Sequence, residues 1–361
     1  MQLYLAPMEG LTGYVFRNAY HKYYEPMDKY FTPFVSHLGL SHRELEDVLP
    51  EHNTGMYTVP QILTNKASDF LNIADKLEHM GYSELNLNLG CPSGTVIKKK
   101  RGAGMLSDLP MLEAFLTEIY EKCTLKVSIK TRLGMDAPEE WPLIREIYSK
   151  FPVHELIIHP RVQKDLYKRP VRPCWFADAP GASSWQADHY GSIPVCYNGD
   201  IFTGEGFERF LGAFPDTCSV MLGRGILKNP ELGGIVRRLC DEHDNKRSAG
   251  ASAVNDSEIF GAVAPVSENM ADIFHAPDHI AVEGEYLPIS DRERFRKFHA
   301  ALLDGYREVI DGDKNVLFKM KELWFYVGQS FPDAKKELKT IKKAQSLTEY
   351  KGAVASILRD R

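Results

Sequence analysis

Residues 84–134 read ELNLNLGCPSGTVIKKKRGAGMLSDLPMLEAFLTEIYEKCTLKVSIKTRLG. The segment opens on a short alternating run, ELNLNLGC (84–91), and closes on another, KVSIKTRLG (126–134). Between them Leu112, Phe115, Leu116 and Ile119 recur at helical spacing, and Asp108 with Pro110 marks a helix start. Strand, amphipathic helix and strand in that order make a crossover unit with parallel strands.

The same rhythm extends in both directions. QLYLAPM (2–8), DKYFTPFV (28–35) and YTVPQILT (57–64) precede this unit. ELIIHPR (155–161), PVCYNGD (194–200) and SVMLGRG (219–225) follow it. The eight runs start 25 to 42 residues apart, which leaves room for one crossover helix each. Lys66–Met80 is such a helix, with Phe70, Ile73, Ala74 and Leu77 on one face. Eight strand–helix repeats predict an α/β fold, a closed (β/α)8 TIM barrel over residues 1–243.

Composition changes after the eighth repeat. Residues 241–291 carry 2 basic and 11 acidic side chains, and 244–290 read as an acidic linker or insertion. Residues 292–361 carry 16 basic and 10 acidic side chains, a local charge of +6 in a chain of net charge −5. RERFRKFHAALLDGYREVI, LFKMKELWFYVGQSF and Lys335–Leu358 predict three helices, a small all-helical C-terminal domain over 291–361. A basic tail on an acidic protein suits a polyanionic partner, although a solvated helical surface has the same composition.

Other classes are disfavoured. No apolar run approaches the roughly 20 residues that span a bilayer. The start, MQLYLAPMEG, lacks the basic and apolar regions of a signal peptide. We therefore expect a cytoplasmic protein with no membrane partner. The six cysteines, at 91, 123, 174, 196, 218 and 240, form no C-x-x-C pair, so no metal site is expected. A monomer is expected.

In a barrel of this kind the site lies at the C-terminal strand ends. Those ends carry Pro7-Met8-Glu9, Gln61, Asn88 to Cys91, Lys130 and Arg132, His159, Asn198-Gly199-Asp200 and Gly223-Arg224-Gly225. The glycines of NGDI (198–201) and GRGIL (223–227) let backbone N–H groups approach an anion, a frequent arrangement after strands seven and eight. Together they suit a phosphorylated cofactor. Lys130 at the rim is costly unless paired. It would complement the pyrimidine edge of a reduced flavin, and Gln61 could read a ring carbonyl and N–H together. Cys91 sits in a turn fixed by Gly90 and Pro92. A free thiol near its usual pKa is protonated at neutral pH and can act as a general acid. It could instead be a nucleophile if a neighbour depressed its pKa, but no His adjoins it in sequence. Lys98, Lys99, Lys100 and Arg101 follow on the next loop, as solvated surface or as phosphate contacts.

APMEG, NLNLGCPSG, IKTRLG, NGDI and GRG, in this order and spacing, resemble the tRNA-dihydrouridine synthases. The resemblance covers residues 1–240 closely and 291–361 more loosely. It implies FMN at the barrel mouth, reduced by NADPH (or NADH). It implies hydride transfer to C6 of a uracil in tRNA and protonation of C5 by Cys91. On this resemblance Pro7, Met8, Glu9, Gln61, Lys130, His159, Asn198, Gly199, Asp200, Gly223 and Arg224 bind the cofactor. Asn88 and Arg132 lie near the target base. Lys98, Lys99, Lys100 and Arg101, with Lys319 and Lys321 of the tail, hold the RNA, as would Lys335, Lys336, Lys339, Lys342 and Lys343. The sequence departs from the family at His159-Pro160-Arg161, where HGR followed by Thr is usual, and in the acidic 241–291 segment. The rival readings are another FMN-barrel oxidoreductase, of the dihydroorotate dehydrogenase type, and a non-catalytic RNA-binding barrel.

Overall fold

The protein was analysed as a computed structural model, which describes residues 1–177, 193–251 and 288–359. Nine parallel strand segments form one sheet: β1 Gln2–Leu5, β2 Lys29–Phe31, β3 Thr58–Val59, β4 Gln61–Ile62, β5 Glu84–Leu89, β6 Lys126–Arg132, β7 Leu156–His159, β8 Val195–Tyr197 and β9 Ser219–Leu222. They run in the order β3-β2-β1-β9-β8-β7-β6-β5-β4.

The eight expected runs account for all nine segments. Pro60 has no N–H to donate, so the run 57–64 is cut into β3 and β4. β3 pairs with β2 through Tyr30–Thr58 and Phe31–Val59, and Val35 bridges Ile62. β4 pairs with β5 through Gln61–Asn86 and Ile62–Leu87. One stretch of chain thus bonds to both neighbours, and the barrel closes.

Tyr4, Phe31, Val59, Ile157, Cys196 and Met221 pack together as a small cluster inside the barrel. Near its N-terminal end Lys29 Nζ donates to both oxygens of Glu84 at 2.9 Å and lies 3.4 Å from Glu155 Oε2. Tyr4 and Ser219 donate to Glu155 Oε1 at 2.8 and 3.2 Å. One ammonium therefore neutralises two buried carboxylates.

The expected helices form. Asp108 caps Leu109–Lys122 by accepting from Met111 N at 3.2 Å. The helix Leu232–Ala251 runs past residue 243, the expected end of the barrel. Glu242, Lys246, Arg247 and Ala249 sustain helix at these positions. The remainder of the expected linker, 252–287, lies outside the described residues. The chain re-enters where Ser290 and Asp291 donate backbone N–H groups to Glu231 at 3.0 and 2.7 Å, and Asp291 caps the helix Arg292–Val309.

The C-terminal region has four helices among the described residues, not three: Arg292–Val309, Asp313–Val327, Lys335–Lys343 and Leu347–Ile357. The expected single helix over 335–358 breaks because Ser346 starts a new one, accepting from Glu349 N at 3.2 Å. His299, Trp324 and Tyr350 tie three of these helices through one buried hydrogen-bonded cluster. Arg292–Val309 packs on Tyr14–Tyr23 of the barrel with no space between: a Cβ on Gly305 would lie 2.8 Å from Val15 Cγ1. Phe298 meets Phe16 and Tyr24 edge-on.

Lys29→Met would strand two buried carboxylates without a counter-charge, and we expect a loss of about 3–5 kcal/mol in denaturant unfolding. An unchanged midpoint would show that water, not Lys29, solvates Glu84 and Glu155.

Candidate active site

Strand β5 alternates Leu85, Leu87 and Leu89 with Asn86 and Asn88. The two amides form a chain with the end of β4. Gln61 Nε2 donates to Asn86 Oδ1 and Asn88 Nδ2 donates to Gln61 Oε1, both at 2.8 Å. Asn86 Nδ2 in turn donates to Ser128 Oγ at 2.9 Å. Gln61 is thereby locked in orientation, with one amide hydrogen and one lone pair left over. Asn88 Oδ1 accepts from Gly90 N at 3.1 Å and Cys91 N at 2.9 Å. Asn88, expected beside the target base, is the residue that folds the Cys91 turn.

Arg132 secures the same turn from the other side. Its Nε donates to Gly90 O at 2.9 Å, and Nη1 to Val162 O and Leu166 O at 3.0 and 3.1 Å. Nη2 is buried and makes no hydrogen bond. Cys91 is half-buried. Burial pushes its thiol above the usual value, against the pull of the Ser93 backbone and of Arg132 and Lys130. Burial thus favours the thiol over the thiolate at this position.

Lys130 lies two residues before Arg132 on β6. Among the described residues its ammonium has no hydrogen-bond or ion-pair partner. Burial, then the charge of Arg132, brings its pKa down to about 8. His159 ends β7. Burial, reinforced by Arg132, Lys130, Arg161 and Arg224, holds it well below the usual range, so the ring is neutral. Its Nε2 faces Arg161 Nη1 at 3.0 Å and accepts, which places the ring proton on Nδ1.

At the ends of β8 and β9, Asn198 Nδ2 donates to Met221 O at 2.7 Å. The two turns abut: a Cβ on Gly225 would lie 2.3 Å from the Ile201 carbonyl oxygen. Asp200 is held by both guanidiniums, Arg161 in a forked pair and Arg224 through Oδ1. These outweigh burial and keep its carboxyl below its usual range. Asp200 thereby fixes the positions of the Arg161 and Arg224 guanidiniums. Arg161 was not among the expected site residues, although the HPR run displayed it.

These groups line one cleft with two compartments that share Pro7, Met8, Lys130, His159 and Tyr167. One holds Asn198, Gly199, Asp200, Gly223 and Arg224. The other holds Glu9, Gln61, Asn88, Cys91 and Arg132. Glu9 forms an ion pair with Arg43. Tyr167 lies between the compartments, its ring 4.5 Å from the Arg224 guanidinium and 5.3 Å from that of Arg132. Tyr326 reaches the Cys91 compartment from the helical region. Neither tyrosine carries a local signal in the sequence.

The expected RNA contacts lie elsewhere. Lys98, Lys99, Lys100 and Arg101 are outside the cleft lining, and Lys100 pairs with Asp108 at 3.1 Å. Lys321 Nζ donates to Ala344 O at 2.5 Å, at the C-terminal end of the helix Lys335–Lys343. Lys319 lines a separate cavity beside the cleft.

Residues 4–272 match the family model described as dihydrouridine synthase (Dus). A tRNA-dihydrouridine(16) synthase of Pseudomonas putida is 28% identical over 254 residues, 68% of this chain and 76% of that protein. A probable tRNA-dihydrouridine synthase of Staphylococcus aureus is 30% identical over 234 residues, 63% of this chain and 68% of that protein. Among solved structures, a variant of NCR from Zymomonas mobilis has a TM-score of 0.45 at 13% identity, covering 67% of this chain and 87% of its own. Morphinone reductase in complex with tetrahydroNAD has 0.43 at 10%, covering 65% and 86%. The match to the family model spans the barrel and every strand end that lines the cleft, and the chain belongs to the dihydrouridine synthase family.

Proposed function

We propose that the protein reduces the C5–C6 double bond of a uridine in tRNA, using FMN and NADPH (or NADH), with Cys91 as proton donor to C5. The observation that carries this reading is the Cys91 thiol. It is kept protonated by burial and held by Asn88 and Arg132 in the same cleft as an unpaired lysine.

The cleft fits the flavin. Lys130 Nζ and Arg132 Nη2 are donors with no protein acceptor among the described residues, a costly arrangement unless a ligand supplies one. Lys130 and the remaining valences of Gln61 would take the pyrimidine edge. Pro7 and Met8 would support the ring. Asn198, Gly199, Gly223 and Arg224 would hold the phosphate, with Asp200 and Arg161 setting the arginine's position and His159 filling the wall. Bound there, FMN supplies the hydride that adds to C6 of the uracil.

Charge then develops on C5, C4 and O4 of the base, and the Cys91 proton goes to C5. The thiolate left behind lies in the field of Arg132 and Lys130, which favour it. A base paired or stacked in folded RNA must be extruded to reach this depth. Tyr326 and Tyr167 line the same compartment, and an aromatic side chain there would stack on the extruded base. Lys335, Lys336, Lys339, Lys342 and Lys343 are exposed on one helix and would meet the RNA backbone. No described helix is long and apolar enough to cross a membrane. The reading includes a monomer working in the cytoplasm. The Pseudomonas putida relative is named for position 16, which makes that uridine the first to map in tRNA from a strain lacking the gene.

Cys91→Ala should bind FMN and oxidise NADPH normally but lose at least about 100-fold in dihydrouridine formation. Undiminished turnover would remove Cys91 from the chemistry. Because Lys130 titrates near 8 in the free protein and acceptor groups of FMN favour its charged form, FMN affinity should weaken as pH rises above that value. Fluorescence titrations from about pH 7 to about pH 9 should show this in the native protein and not in Lys130→Met; equal slopes would reject the contact. Reversing charge at Lys339, Lys342 and Lys343 together should weaken tRNA binding and flatten its salt dependence. Unaltered binding in low and high salt would place the RNA elsewhere.

A further inference from the structure

Beside the cleft lies a second cavity of about 560 Å³, within the range of ligand pockets. The loop after β1 serves both sites. Pro7, Met8 and Glu9 line the cleft, and Gly10 and Gly13 line the cavity. Pro33 borders both, and the Glu9–Arg43 ion pair spans the wall, with Glu9 on the cleft and Arg43 on the cavity. Nothing assigned above to the reaction uses this space.

Its lining has a definite chemistry. Tyr14 presents a ring that is itself stacked on His52, with centroids 4.2 Å apart and planes 8° from parallel. Tyr306 contributes a second ring and Val309 an exposed apolar surface, 47% accessible. Glu308 and Asp311 stand at the border, and among the described residues their carboxylates have no hydrogen-bond or ion-pair partner. The basic side chains present are already engaged: Lys319 lies 3.4 Å from Glu322 and 5.5 Å from the centre of the Tyr306 ring, Arg43 pairs with Glu9, and His42 faces Glu46 at 3.9 Å.

Aromatic and apolar walls favour a flat, stackable group. Unpaired carboxylates accept hydrogen bonds and repel phosphate. That combination disfavours both the pyrophosphate of a nicotinamide dinucleotide and uracil, whose Watson–Crick edge presents two carbonyl oxygens and a single N–H. We propose that the cavity takes a nucleobase bearing an exocyclic amino group, from a nucleotide flanking the uridine that enters the cleft. The inference rests on the tRNA reading given above. Extruding one base costs its neighbours their stacking, and a cavity one wall away from the reaction site recovers that loss for a flanking base.

Val309→Trp tests this by filling the cavity from the exposed end of the helix Arg292–Val309, away from every residue given a role in the reaction. The measurements are FMN content, unfolding midpoint, NADPH oxidation without RNA, and KM for NADPH and for tRNA transcripts. We expect KM for tRNA to rise about tenfold while the other four stay at native values. A second variant, Glu308→Gln with Asp311→Asn, is conservative in shape. In it, the native preference for an amino base over uracil at the flanking position should shrink about tenfold. Native KM for tRNA in Val309→Trp, or native base preference in the double variant, would overturn the proposal. A rise confined to KM for NADPH would assign the cavity to the reductant and overturn it equally. If the native protein forms no dihydrouridine in tRNA, the tRNA reading itself fails, a result seen before any variant is compared.

Discussion

Closure of the sheet is the constraint on which the rest depends. The interrupted run around Pro60 bonds to β2 on one side and β5 on the other, and this joins the two ends of a nine-segment order into a ring. Once closed, the parallel strands must deliver all their C-terminal ends to one rim. Burial there, reinforced by the charges of Arg132, Lys130, Arg161 and Arg224, depresses His159. Asp200 answers only two of them. The surplus of donors over acceptors is a property of the ring, and an acceptor-rich, phosphorylated cofactor answers it.

The position of Cys91 follows from a division of labour within that rim. Asn88 gathers the turn's N–H groups, and Arg132 takes the Gly90 carbonyl while reaching across to the loop after β7. The turn is thus held by one side chain from its own strand and one from the neighbouring strand. Holding both backbone polarities fixes the Cys91 turn without charging the thiol. Cys91 stays a thiol because burial dominates over the nearby cations, which nonetheless favour the thiolate once the proton has gone.

Much of this was legible in residue order. The eight runs, the capped helix after Asp108, and the glycine-bearing ends of β8 and β9 rest on contacts within a few residues, and periodicity and turn chemistry report such contacts. Other features were not legible, for definite reasons. Arg161 looked like part of a departure from a family motif; its pairing with Asp200 spans 39 residues. Lys321 looked like one more tail cation until its ammonium was seen to close a helix end 23 residues on. The break at Ser346 was a missed cap, since Ser and Glu three apart do announce a helix start.

The sequence by itself determined the strands, most of the helices and the strand ends that carry Cys91, Lys130 and Gln61 to the cleft, because side-chain type and local spacing suffice for those. Tertiary structure alone decided how they serve one another. It made Asn88 the brace of the Cys91 turn and Asp200 the clamp of two arginines, while both line the cleft. It also brought Tyr326 from the helical region to a cleft whose cysteine lies far behind it in the chain. The physical reason is that a hydrogen bond or ion pair depends on distance in space. Only closure of the barrel and docking of Gly305 against Val15 set those distances.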